Sequence, residues 1–220
     1  MNRCGRPAWM RRPVISDLPT AMPAAIEHRE RRRPQLFVFF GMIASGKSTL
    51  ARAFAGRRGF PCHNTDLVRK ELAGVSATTR CVEGVGEGIY SPAFSARTYQ
   101  ALLDRAERDL ANGMEGVVLD GSYGRRTDRA RVLELAARLG VAVVFVLCTC
   151  SDREVRRRLE LRARDPRAVS DGRWEIYLAQ KEHFEPPDEL PPEQLVRIDT
   201  EAPPGVLLAR LEDELSNRGL

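Results

Sequence analysis

A chain of 220 residues with 43% hydrophobic and 30% charged residues has the length for one domain with a substantial core. The net charge of +5 makes no case for a nucleic-acid partner, because residues 1–34 carry all of it: eight Arg (3, 6, 11, 12, 29, 31, 32, 33) face Asp17, Glu27 and Glu30, while residues 35–220 balance at 27 against 27. The longest obvious apolar run, Val141–Cys148, is far short of the ~18 residues of a membrane span.

Residues 1–34 mix Arg with Pro7, Pro13, Pro19, Pro23 and Pro34 and show no sustained periodicity, which predicts a disordered tail. The tail has no secretory h-region. It leaves an organellar transit peptide or an over-extended gene start open. Gln35–Phe40 then reads as a buried strand, and it runs straight into Gly41-Met42-Ile43-Ala44-Ser45-Gly46-Lys47-Ser48-Thr49. Two glycines at this spacing before Lys and Ser fit the phosphate-binding loop pattern, which arises by chance in roughly one chain in a hundred of this length. Gly41 and Gly46 admit backbone conformations and close approaches that a Cβ would block, so that N–H groups turn toward an anion. Lys47 is then set to reach the β- and γ-phosphates, and the Ser48 hydroxyl to ligate Mg²⁺. The helix predicted over Ser48–Ala55 points its positive dipole end at the same anion, and Gly56 or Gly59 ends it. A nucleoside triphosphate ligand is the expectation.

A short strand near Phe60–Asn64 leads to Asp66, and Leu67–Leu72 reads as a helix closed by Gly74. Gly84, Gly86 and Gly88 mark a flexible connection. Ser91-Pro92 is an N-cap with proline in the first helical position, and the helix it opens stops at Gly113. Strand Gly116–Asp120, helix Thr127–Leu139 and strand Val141–Cys148 follow. Ser151 with Glu154 forms a capping box for an Arg-laden helix, and a polar loop around Asp165–Asp171 separates it from a helix with Trp174, Ile176, Tyr177 and Leu178. Strand Gln194–Asp199 and helix Pro204–Leu215 complete the chain. Apolar strands alternating with amphipathic helices predict a three-layer α/β fold with a parallel sheet. The five Cys, at 4, 62, 81, 148 and 150, are odd in number and lack zinc spacing, so a reduced cytoplasmic protein is expected. Cys62 and His63 read as strand core rather than metal ligands.

The phosphate loop, Asp66 and Asp120 all fall at carboxyl ends of predicted strands, where ligands bind in open α/β sheets. Phosphoryl transfer needs neutralised phosphate charge, held Mg²⁺ and an oriented acceptor. Asp120, closing Val117-Val118-Leu119, resembles a Walker B carboxylate; otherwise it caps the Gly121-Ser122 turn. Asp66 is placed to accept the proton of an acceptor hydroxyl, or else to cap Leu67–Leu72. Of the arginines after the fourth strand, most pair along the helix, as Glu154 with Arg158 and Arg156 with Glu160. Arg162, and beside it Arg158, are expected to swing over the triphosphate from a lid spanning about 151–171. Arg69, Arg97, Arg125 and Arg126 are candidates for an anionic acceptor or plain surface charges.

Gly41–Thr49, Asn64–Gly74, Gly88-Ile-Tyr90 with Arg97-Thr-Tyr99, and Val118–Tyr123 together resemble the small P-loop kinases. The nearest likeness is to the ATP-binding domain fused, in some bacterial proteins, behind an aminoglycoside-phosphotransferase-like domain; zeta toxins and phage-type polynucleotide kinases are more distant. The resemblance covers about residues 35–215. It implies sheet order 2-3-1-4-5, ATP with Mg²⁺, a base at Asp66 and a lid arginine. The expected departure from it is a kinase domain standing alone, without the fused domain. Three functions therefore compete. The first is a kinase acting on a hydroxyl of a small molecule or nucleotide-like metabolite. The others are a polynucleotide 5′-hydroxyl kinase and an ATP-hydrolysing regulatory module.

Overall fold

The structure, a computed structural model, describes Met1 and residues 34–79, 87–164 and 173–220. Nearly all of the expected tail, Gly84 and Gly86 of the glycine connection, Cys4, Cys81 and most of the polar loop around Asp165–Asp171 lie outside the described residues. Among the described residues the chain forms five strands and seven α-helices: β1 Gln35–Phe40, α1 Lys47–Arg58, β2 Cys62–Asn64, α2 Thr65–Leu72, α3 Pro92–Ala111, β3 Gly116–Asp120, α4 Arg126–Leu139, β4 Ala142–Thr149, α5 Asp152–Ala163, α6 Trp174–His183, β5 Leu195–Asp199 and α7 Pro204–Asn217. A 3₁₀ turn over Gly88–Tyr90 precedes α3.

All strand pairs are parallel, in the order β2-β3-β1-β4-β5. Side chains alternate faces along a strand, so β1 supplies two cores at once. Leu36, Val38 and Phe40 join Val117, Leu119, Phe145 and Leu147 beneath α2, α3 and α4, where Val68, Leu102 and Val132 are buried. Phe37 and Phe39 join Val118, Val144, Val146 and Ile198 on the opposite face, under Leu50 and Phe54 of α1 and Leu207, Leu211 and Leu215 of α7. Two covered faces explain why β1 reads as an unbroken apolar run with all six residues buried. At about 1.5–3 kcal/mol for each large apolar side chain fully buried, this pair of cores dominates the stability of the fold. A third, smaller cluster of Ile43, Ala44, Val155, Leu159 and Tyr177 seats the glycine loop on α5 and α6.

Several boundaries differ from the sequence reading. Gly56 lies inside α1, which runs on to Arg58 and closes at a left-handed Gly59. α2 starts at Thr65 with Asn64 as its cap, accepting from the Leu67 N–H at 3.0 Å. Asp66 is therefore in the first turn and is not the cap. At α5 only half the capping box forms: the Ser151 hydroxyl accepts from the Glu154 N–H at 3.3 Å, while the Ser151 N–H goes to Glu201 at 2.7 Å. Glu154 is occupied elsewhere, by Arg157 and Arg158. Arg156 lies over the Trp174 ring, 4.4 Å from its centroid.

Register decides what meets at the carboxyl edge. Asn64 pairs with Asp120, Asp120 with Phe39, and Phe40 with Leu147. The segments leaving β1, β2, β3, β4 and β5 therefore start side by side, and the crevice opens where the chain departs from β1 to either side. Among the described residues no helix is long and apolar enough to cross a membrane.

Candidate active site

The loop between β1 and α1 is shaped by packing as much as by its glycines. Gly41 has φ 137°, and a Cβ there would lie 2.4 Å from the Cys148 carbonyl oxygen. Gly46, with φ 84°, is the N-cap of α1; a Cβ would come within 2.9 Å of both Arg158 Nη1 and Thr200 Oγ1. Ala44 adopts φ 61° despite its side chain. α1 has neither a side-chain cap nor an acidic residue in its first turn. Its positive end is left for an external anion, with Lys47, Ser48 and Thr49 in that first turn. Lys47 Nζ folds back onto the Met42 carbonyl at 3.3 Å. The Ser45 hydroxyl is buried without a partner inside the loop.

Asp120, at the end of β3, is fully buried. Its Oδ2 accepts from Asn64 Nδ2 at 2.6 Å, and its Oδ1 has no hydrogen-bond partner. Burial raises its pKa above the usual carboxylate value; the Lys47 charge, the Ser48 hydroxyl and Asn64 oppose that rise, and Asp66 adds to it. A buried carboxylate with one bare oxygen beside a lysine and a serine hydroxyl fits Mg²⁺, which takes few protein ligands and shares substrate phosphates. Asp120 is not the cap of the following turn: Thr65 Oγ1 donates to its backbone carbonyl at 2.8 Å, and the Gly121 N–H returns to Phe39 at 3.1 Å.

Asp66 is half-buried and stands in the field of both Asp120 and Arg162. Burial lowers the pKa of Arg162; Asp66 and Asp120 support its charge, while Arg158 and Arg52 oppose it. Lys47, Ser48, Asp66 and Arg162 thus all lie within electrostatic reach of Asp120. Arg158 is held by protein contacts. Its Nε engages Glu154 at 2.7 Å, Nη1 the Ala44 carbonyl at 3.1 Å and Thr200 Oγ1 at 3.0 Å, and Nη2 the Thr200 carbonyl at 2.7 Å. Its guanidinium is thus taken up by the loop carbonyl of Ala44, by Thr200 and by Glu154.

Across the crevice, Tyr99 Oη and Ser122 Oγ are 2.8 Å apart, and the Tyr123 N–H donates to Tyr99 Oη at 3.2 Å. Tyr123 holds φ 41°, with its hydroxyl buried and unpartnered. Arg69 is buried against Tyr90, its centroid distance 5.0 Å, and donates to the Ile89 carbonyl at 3.3 Å. Arg97 stacks on Phe94 at 5.3 Å, and the Arg125 and Arg126 side chains are exposed. Arg129, fully buried, pairs with Glu189 through two nitrogens and donates to the Tyr123 carbonyl at 3.0 Å, fixing the turn after β3. The sequence reading assigned no role to Asn64, Gln180 or Arg129. Asn64 alone had a legible signal, an Asn at the start of a helical pattern.

Parallel order 2-3-1-4-5 with this loop after the first strand defines the P-loop kinase fold. Residues 36–187 match the family AAA_33, an AAA domain, and the chain belongs to that family. It is 33% identical over 127 residues to the uncharacterized protein Rv2004c of Mycobacterium tuberculosis, a match covering 58% of this chain and 25% of that protein. The chain thus spans about a quarter of the length of the curated relatives it matches. A sugar kinase from Janibacter superposes with TM-score 0.59 at 17% identity, over 84% of this chain and 95% of that one. The APS kinase CysC of Mycobacterium tuberculosis, in complex with AMPPNP and APS, superposes with TM-score 0.58 at 19% identity, over 84% and 98%.

Proposed function

We propose that this chain is an ATP-dependent kinase that transfers the γ-phosphate to a hydroxyl of a small molecule or nucleotide-like metabolite. The observation that carries this reading is Asp66: released from the capping role by Asn64, it stands as a half-buried carboxylate sharing one field with Asp120 and Arg162. A loop that only bound nucleotide would have no use for that carboxylate. The kinases among the solved structures of the same fold, one with AMPPNP bound, support it.

The residues divide the work. The loop from Gly41 to Thr49, including Ala44 and Ser45, wraps the β- and γ-phosphates, and Lys47 neutralises them. Ser48 and Asp120 would hold Mg²⁺, which when bound offsets charge on the phosphate oxygens. Asp66 takes the acceptor's hydroxyl proton as the acceptor oxygen bonds to the γ-phosphorus and the bond to the β-phosphate oxygen breaks, leaving ADP. Arg162, carried by α5, stabilises the charge on the transferring group. The kinase unit spans residues 35–220, with the Arg-rich residues 1–34 outside it. Among the described residues Cys62, Cys148 and Cys150 are free thiols, which fits a reducing cytoplasm. The domain resembles the kinase domain fused behind a phosphotransferase-like domain in some proteins, and curated relatives matched over a quarter of their length leave room for such a neighbour.

The test is ATP turnover by the purified protein across a metabolite pool, beside Asp66→Asn. A phosphorylated acceptor whose formation falls roughly 10²–10⁴-fold in the variant, with nucleotide binding intact, supports the reading. Acceptor-independent hydrolysis, equal in both proteins, would replace it with the regulatory module; phosphate transferred only to the 5′-hydroxyl of an oligonucleotide would replace it with a polynucleotide kinase.

A further inference from the structure

Three side chains from elements remote in sequence grip the phosphate loop. Gln180 of α6 accepts from the Ile43 N–H at 2.8 Å, Arg158 of α5 donates to the Ala44 carbonyl at 3.1 Å, and Thr200 after β5 meets the Ser45 carbonyl at 2.7 Å. Arg158 and Thr200 also bind one another twice, through Thr200 Oγ1 at 3.0 Å and its carbonyl at 2.7 Å. Thr200 is 2% exposed and its N–H is tied to the Thr149 carbonyl at 2.9 Å, so it cannot drift. Glu154 anchors the far side of the guanidinium at 2.7 Å.

In a trans peptide the C=O and the following N–H point in opposite directions. Pinning the Ser45 carbonyl to Thr200 therefore turns the Gly46 N–H away from Thr200, to the loop's inner side. Holding the Ala44 carbonyl keeps Ala44 at φ 61°, a conformation that a residue with a Cβ resists. The clearance is minimal: a Cβ on Gly46 would sit 2.9 Å from both Arg158 Nη1 and Thr200 Oγ1. We propose that Arg158 and Thr200 form one positioning clamp that sets the loop's affinity for nucleotide phosphate through the carbonyls of Ala44 and Ser45, without touching the nucleotide. The inference rests on the reading of this loop as a nucleotide phosphate site.

The test is calorimetric binding of Mg·ADP to the full chain, below the melting temperature of each protein. Arg158→Lys keeps the charge but loses the fork; Thr200→Val keeps the shape but loses the hydroxyl; Thr200→Ser keeps the hydroxyl. The two disruptive variants each weaken ADP binding roughly 10- to 100-fold, the range for a lost hydrogen bond to a charged group. Thr200→Ser stays within about threefold of wild type, as it keeps the hydrogen-bonding hydroxyl. The double variant Arg158→Lys/Thr200→Val binds no more weakly than the worse single one, because both act through one device. Disruptive variants that bind ADP like the wild type overturn the clamp while leaving the kinase reading in place. Additive losses in the double variant overturn it in favour of direct phosphate contact by Arg158. A wild-type protein that binds no ADP overturns the nucleotide reading, and the clamp with it. If Thr200→Val fails to fold, Arg158→Lys against Thr200→Ser decides.

Discussion

Asp120→Asn separates a metal-binding carboxylate from a structural one. Asp120 is fully buried, one oxygen bonded to Asn64 at 2.6 Å and the other bare. Asparagine retains a carbonyl oxygen for Asn64 and removes the charge. An ion taken out of water carries a penalty of several kcal/mol, here offset in part by Lys47, Ser48 and Asn64. A net gain in the unliganded protein of about 1 kcal/mol is expected, or about 2–4 °C in melting temperature for a fold of this size. The sign with pH follows from the raised pKa. The folded state binds the Asp120 proton more tightly than the unfolded state, so ionisation at neutral pH opposes folding. The variant's advantage therefore shrinks as pH falls through the raised pKa toward the ordinary value of 3.8. With Mg·ADP at a hundred times its Kd the wild type gains about 2.7 kcal/mol, or about 5–11 °C, and the variant loses most of that gain. Thermal unfolding followed by circular dichroism, with and without Mg·ADP, reads both effects. A variant that melts several degrees lower unliganded and keeps the full Mg·ADP shift would refute the reasoning and make Asp120 a strut for Asn64.

Arg129→Met leaves Glu189 without its partner and three backbone carbonyls without a donor. A loss of about 3–5 kcal/mol is expected, lowering the melting temperature by about 6–20 °C, with much of it recovered on adding Glu189→Leu; calorimetric melting checks both. Glu154 is held down to about 2, first by its hydrogen bond to Arg157 and then by Arg158. Its contribution is complete above the ordinary 4.5 and disappears as pH falls through about 2, so α5 should loosen from the loop across that interval, measured as protease susceptibility around residue 165.

What the sequence determined by itself is local chemistry and alternation. The spacing of Gly41, Gly46, Lys47 and Ser48 is legible because two glycines and a lysine are required within one short turn, and the α/β alternation because each strand and helix carries its own periodicity. Even the capping of α2 by Asn64 was written in residue type. The sheet order was implied only by family likeness. Only tertiary contacts distinguish two arginines one turn apart on the same helix: Arg158 donates to the Ala44 carbonyl, while the charge of Arg162 is supported by Asp66 and Asp120. The same holds for Thr200, 155 residues from Ser45, and for the bare oxygen of Asp120. Each depends on which elements the parallel register sets side by side, and pairwise contact between distant segments leaves no periodic trace in the chain.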